Sequence, residues 1–170
     1  MENIGNSLRG MYRDTLFNSD NRLVFDSGWA SNTIVEGCRI LLASFMKGDA
    51  ILGISYMKVG SGSGQPNTSL DELVSPYCEQ PVDVEINYME DDGNGKLILS
   101  TSSSPSKWLE ITATLDPGFP NKNGCSELRE FGLFSKQKHN NKDIMINCVF
   151  HPLIQKAETD TLKRVIRLFF

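Results

Sequence analysis

The side chains that could do chemistry in this chain are few and scattered. There are two histidines, His139 and His151. His139 lies in a polar run from Lys136 to Lys142 and reads as solvated, while His151 closes an apolar alternation just before Pro152. Neither sits in a pattern that marks a general acid–base pair. Asp91-Asp92 run into Gly93-Asn94-Gly95. Without further oxygen ligands at calcium-loop spacing, that pair reads as a hairpin turn. The four cysteines (Cys38, Cys78, Cys125 and Cys148) lack the close pairing of a zinc site and read as reduced thiols. No serine lies in a G-x-S-x-G nucleophile elbow. Gly60-Ser61-Gly62-Ser63-Gly64 follows a strand-like run, as a phosphate loop would. It continues into Gln65-Pro66-Asn67-Thr68 instead of opening a long helix, and a mobile loop is the better reading. The sequence therefore leads us to expect no catalytic, metal or cofactor residues and no enzymatic activity.

Charge narrows the class further. The formal net charge is −4, and no dense Lys/Arg block supplies the basic stripe that nucleic-acid binding needs. Near the C-terminus, Lys156, Lys163, Arg164 and Arg167 are interleaved with Glu158 and Asp160, which reads as a solvated strand face. MENIGNSLRGMY has no apolar signal-peptide core. The most apolar window, residues 37–57, carries Arg39, Lys47 and Asp49, which a bilayer disfavours. The expectation is a chain made in the cytoplasm that does not insert in a membrane.

The elements that must carry these residues are mostly strands. Residues 1–30 are turn-rich and read as an N-terminal arm with one or two short, poorly patterned strands, leaving residues 31–170 as the domain. Thr33 and Glu36 have capping-box spacing, and Ile34, Val35, Cys38, Leu41, Leu42, Phe45 and Met46 recur at helical spacing before Gly48. These features predict one main helix over about 34–47 with its apolar stripe in the core. Ser69 to Leu73 has the pattern of a single helical turn. Period-two alternation is clear at Val82/Val84/Ile86/Tyr88, Leu109/Ile111/Ala113/Leu115 and Ile144/Ile146/Cys148/Phe150. Leu128 to Phe134 is apolar on both faces, the mark of a strand covered on two sides, and Gly132 within it implies a bulge or a close backbone approach. Arg129 and Glu130 point to opposite faces, so whichever meets a covered face needs a partner from another element. The predicted fold is α+β, a β-dominated antiparallel sheet or sandwich with one helix.

Leu128-Arg129-Glu130-Phe131-Gly132-Leu133-Phe134 resembles the "REhGLF" strand (h, an apolar residue) of tail-fibre N-terminal attachment domains in phage tails and contractile injection particles. The order of the flanking features is also similar to that family. A helix (Ile34 to Lys47) precedes a strand ending in GxG (Ile54 to Gly62), then Thr68 to Leu70, the motif strand, and a Pro152 to Lys156 element before the last strand. The resemblance spans roughly residues 30–170. It implies a non-enzymatic particle component that docks by shape to a baseplate, fibre or collar and forms symmetric oligomers with itself and with other tail proteins. Family fibres continue into a shaft, whereas this chain stops at Phe170, so the resemblance implies an attachment domain standing alone in an adaptor role.

The residues expected to be structural or interfacial are Arg129, Glu130, Phe131, Gly132, Leu133 and Phe134, with Leu168, Phe169 and Phe170. The terminal run is apolar on both faces and needs cover, from the arm or from a neighbouring subunit. A glycan-binding β-module, with Trp29, Trp108 and Tyr88 as its aromatic platform, is the alternative reading.

Overall fold

The computed structural model describes residues 8–49, 51–77, 81–102, 104–120, 124–137 and 142–170. His139 and Cys78 lie outside the described residues.

Alternation builds one wall. β1 (Arg9–Phe17), β11 (Thr161–Phe169), β7 (Trp108–Leu115) and β5 (Val82–Asp91) lie side by side, all antiparallel. β1 and β11 stay in register from Arg9–Phe169 to Phe17–Thr161. β11 and β7 do so from Leu162–Leu115 to Phe169–Trp108. Tyr12, Leu16, Ile111, Ala113, Leu115, Leu162, Ile166 and Leu168 point inward and are buried. β3 (Ala30–Ile34) extends this wall beyond β1. The short β2 (Leu23–Asp26) pairs with the far end of β1 and is exposed at every position. Residues 9–17 are thus a stave of the barrel where the sequence predicts an arm. Their alternation is broken by Asp14, which hides the pattern.

The second wall is β4 (Ile51–Gly60), β8 (Ser126–Gln137) and β10 (Asn147–Lys156), with β9 (Asp143–Met145) pairing with β8, while β6 (Leu97–Leu99) forms a hairpin with β5. Its strands are irregular. β4 shifts register around Ile54, and β10 takes four steps, from Phe150 to Ile154, opposite the two steps from Glu130 to Leu128. Such bulges bend strands, and bent strands let a sheet curl.

The two walls meet along two short seams. Tyr56–Asp83 and Met57–Val82 join β4 to β5, and Ile34–Asn147 and Thr33–Cys148 join β3 to β10. These pairs close an eight-stranded antiparallel β-barrel, 55% strand and 8% helix, which corrects the predicted open sheet or sandwich. Period-two patterning is the same in both architectures. Only a few long-range backbone pairs decide between them.

The helix also differs from its prediction. α1 (Glu36–Lys47) begins after Val35, and no side chain caps it, so the Thr33/Glu36 box is not formed. The Glu36 N–H donates instead to the Thr68 carbonyl, and the Val35 N–H to the Ile146 carbonyl. Gly48, at φ 85°, ends the helix as expected. Val35, Cys38 and Leu41 are buried, but Leu42, Phe45 and Met46 are exposed, Met46 at 90%. The predicted stripe is therefore core only over its first half. Beyond Leu41 the helix carries its apolar side chains out from the barrel mouth. Residues 61–77 form no helical turn; they run as a strap over the outside of β8, pinned by a Gly60–Pro76 bridge.

Candidate functional site

Inside the barrel, four strands converge on one guanidinium. Arg164 of β11 and Asp14 of β1 face each other in register, and both are fully buried. Arg164 Nε donates to Asp14 Oδ1 at 2.6 Å, and Nη2 to Oδ2 at 2.8 Å. A bidentate pair of this kind is the arrangement in which two buried charges best offset their desolvation. The guanidinium lies 3.7 Å from the centroid of the Phe131 ring, on β8. Nη1 has no hydrogen-bond partner, and the ring face is its nearest compensation. His151 of β10 completes the cluster, with Arg164 Nη2 and His151 Nε2 3.1 Å apart. His151 Nδ1 is 2.8 Å from the Pro152 carbonyl. Nδ1 therefore carries the proton and donates to that carbonyl, leaving Nε2 to accept from Arg164. Burial, reinforced by the positive charge of Arg164, pushes the His151 pKa down to about 4.

Sequence reasoning missed this cluster. Arg164 was expected on a solvated face, as was Lys156, yet Lys156 is also buried and donates to the Asp116 carbonyl at 2.9 Å. A signal was present: Asp14 and Arg164 occupy inward positions, between Tyr12 and Leu16 and between Leu162 and Ile166. A charge at an inward position demands a partner, but only the fold shows which one.

The motif strand holds a second buried charge. Glu130 is fully buried on the outer side of β8, under the strap. Its carboxylate accepts backbone N–H bonds from Gly62 at 3.0 Å, Val74 at 2.8 Å and Ser75 at 2.6 Å. The glycine-rich loop is thus a strap clamped by a carboxylate. A Cβ on Gly62 would collide with Glu130 Oε1, and one on Gly60 with the Ser75 carbonyl, so the close approach requires glycine at both positions. Phe131 and Leu133 belong to the barrel core. Phe134 packs outward with Val35, Leu73, Met145 and Cys148, and stacks on Tyr56 at 5.8 Å. Gly132 lies against the Asn147 carbonyl. Arg129 is half-buried and adds to the positive potential at His151. Asn147 joins the walls through its side chain: Oδ1 accepts from the Leu133 N–H at 2.7 Å, and Nδ2 donates to Asn32 Oδ1 at 2.8 Å.

On the outside, β1, β11 and β7 present aromatic and cationic side chains together. Arg167 lies 4.3 Å from the Trp29 ring centroid and pairs with Glu110 at 2.9 Å. Arg9 sits 5.1 Å from the Phe169 ring, Phe169 stands opposite Trp108, and Lys107 lies 5.1 Å from the Trp108 ring. Met11, opposite Arg167, is partly exposed. Of the C-terminal residues singled out from the sequence, Leu168 is buried, Phe169 faces outward half-buried, and Phe170 lines an apolar cleft of about 180 Å³ under α1, together with Leu42, Phe45 and Ile54. The edge that the sequence leaves open on β11 is taken by β1. Tyr88, paired with Leu109, lines the neighbouring mouth with Phe45 and Ile86.

The remaining candidates resolve locally. Asp91 and Asp92 accept N–H bonds from their own turn, at Gly93, Asn94, Gly95 and Lys96. Among the described residues, Cys38, Cys125 and Cys148 are free thiols, no group of acidic, histidine or cysteine side chains could hold a metal ion, and no helix is long and apolar enough to cross a membrane. Burial raises the pKa of Cys38 and Cys148 to about 11. No protein-family model matches this chain, and neither a curated protein nor a solved structure shows significant similarity to it.

Proposed function

We propose that this protein is a non-enzymatic structural component of a phage-tail-like particle. In this reading it is an oligomeric adaptor that docks to itself and to baseplate, fibre or collar proteins. The kind of particle rests on the resemblance of Leu128 to Phe134 and its flanking features. The observation that carries the docking role is the outer face of β1, β11 and β7. Trp29, Trp108, Phe169, Met11, Arg9 and Arg167 are the residue types enriched where proteins meet. His151, whose pKa burial pushes well down, is committed to an internal ion-pair cluster, and the surface clefts are lined by other residues. That arrangement suits a scaffold better than a reaction centre.

The test is co-sedimentation of the purified chain with tail sheath, tube and baseplate proteins, alongside light scattering over a range of concentrations. Trp29→Ser with Arg167→Ala should abolish association and leave the fold intact. Deleting Leu168 to Phe170 is the poorer probe, because Leu168 is core and its loss would loosen the barrel. Glycan recognition remains the second reading, because Trp29 and Trp108 share that outer face. Binding to a glycan array that is lost in Trp29→Ser, with no association to tail proteins, would favour it.

A further inference from the structure

We propose that the Asp14–Arg164–His151 cluster is an acid-sensitive latch between the two walls of the barrel, and that protonating His151 lets β10 part from β3. Arg164 and Asp14 come from the wall of β11 and β1, whereas His151 and Phe131 come from the wall of β10 and β8. Backbone pairing across this seam amounts to Ile34–Asn147 and Thr33–Cys148, with one further bond from the Val35 N–H to the Ile146 carbonyl. Beyond Cys148, the side chain of His151 reaches across to the other wall. It does so at the start of the Phe150–Ile154 bulge, where the ladder to β8 is already interrupted and Pro152 has no N–H to lose. For β10 to part from β3, the Val35–Ile146 backbone bond and the Asn147–Asn32 side-chain bond must open as well.

The latch depends on the proton count. Neutral His151 donates from Nδ1 to the Pro152 carbonyl and accepts at Nε2 from Arg164. A second proton on Nε2 removes the acceptor and sets two cations 3.1 Å apart. The groups facing His151 do not compensate. Asp14 on β1 favours the cation, but both of its oxygens already serve Arg164. Arg129 on β8 opposes it, as does Arg164 on β11. Tyr12 on β1 is a neutral phenol whose pKa is raised by burial and by Asp14. Phe131 offers a ring 6.1 Å away.

The sign follows from linkage. The folded histidine is held near 4, while the released one returns to its ordinary 6.5. The open seam therefore binds protons more tightly than the closed one. The latch is fully engaged above pH 6.5 and weakens progressively as pH falls toward 4.

Two measurements on the full chain test this. Proton NMR should show His151 neutral with the proton on Nδ1 well below pH 6, while His139→Gln identifies the signal. Amide exchange, corrected for its intrinsic pH dependence, should rise at residues 30–34 and 147–156 between pH 6.5 and 4.5, on the order of fifty-fold by linkage. Exchange in 108–115 should stay unchanged. His151→Gln keeps a neutral acceptor and should remove the acid response, whereas His139→Gln should keep it. An imidazole titrating near 6.5 without a change in exchange would overturn the latch. So would the same acid response in His151→Gln. If His151→Gln does not fold, the titration and exchange of the unaltered chain decide the matter alone.

Discussion

The two walls of the barrel are made in different ways. In the wall of β1, β11, β7 and β5, long registers run without a slip from β1 to β7. Its one buried charge pair, Asp14–Arg164, is closed by two side chains of adjacent strands. In the wall of β4, β8 and β10, registers slip at Ile54 and after Phe150. One of its buried charges, Glu130, is satisfied by backbone groups of a strap more than fifty residues away. The regular wall offers its outer face to solvent and carries the proposed docking residues there. The irregular wall has its outer face covered by its own strap. One barrel thus combines a wall of long, unbroken registers under the proposed docking face with short seams, each two residue pairs long, where the walls join.

Breaking the side-chain charge pair should hurt most. Asp14→Asn leaves Arg164 buried without its counter-charge and should cost about 3–5 kcal/mol in denaturant unfolding. Replacing both members by apolar residues of similar volume should cost less, because no stranded charge remains. A small loss in the single variant would mean that water reaches Arg164.

The backbone-satisfied charge should be less sensitive. Glu130→Gln keeps one carbonyl acceptor and should cost about 2 kcal/mol, roughly one charged hydrogen bond exchanged for a poorer one. Its distinctive signature should be faster proteolysis within 61–77, with β11 still protected. Equal loosening of both walls would erase the contrast between them.

Gly132→Val probes the packing of the irregular wall. A Cβ there comes 2.8 Å from the Asn147 carbonyl oxygen, so the strand must shift, at about 1–3 kcal/mol. An unchanged melting temperature would show that β8 and β10 can separate without cost.

The outer face should respond least in stability. Arg167→Ala removes a partly exposed pair with Glu110 and should cost under about 1 kcal/mol. Its effect should appear in oligomer formation by light scattering, since the same side chain lies against Trp29. A large stability loss without loss of association would reassign Arg167 from docking to folding.

Residue types and their spacing were enough to mark the local pieces. Alternation marked β5 and β7, because a period of two survives in any sheet with one buried face. The Ile144/Ile146/Cys148/Phe150 run instead crosses the break between β9 and β10, and Val149 enters the barrel core while Cys148 and Phe150 pack outside with Phe134. The apolar faces on both sides of Leu128 to Phe134 marked a doubly covered strand, and Gly48 marked the end of α1. Arg129-Glu130 carried the warning that a covered charge needs a partner. What the partner was, and whether the sheet stayed open, lay beyond reach. Glu130 meets Gly62, Val74 and Ser75, and Asp14 meets Arg164 across nearly the whole chain. Barrel closure rests on the pairs at Ile34–Asn147, Thr33–Cys148, Tyr56–Asp83 and Met57–Val82. Such contacts leave no local periodicity, because a hydrogen bond between distant backbones asks nothing of the residue types that make it. They are set by how the folded strands meet in space. For the same reason α1 looked wholly buried: its stripe records which residues share a face, not how far the neighbouring wall extends beneath it.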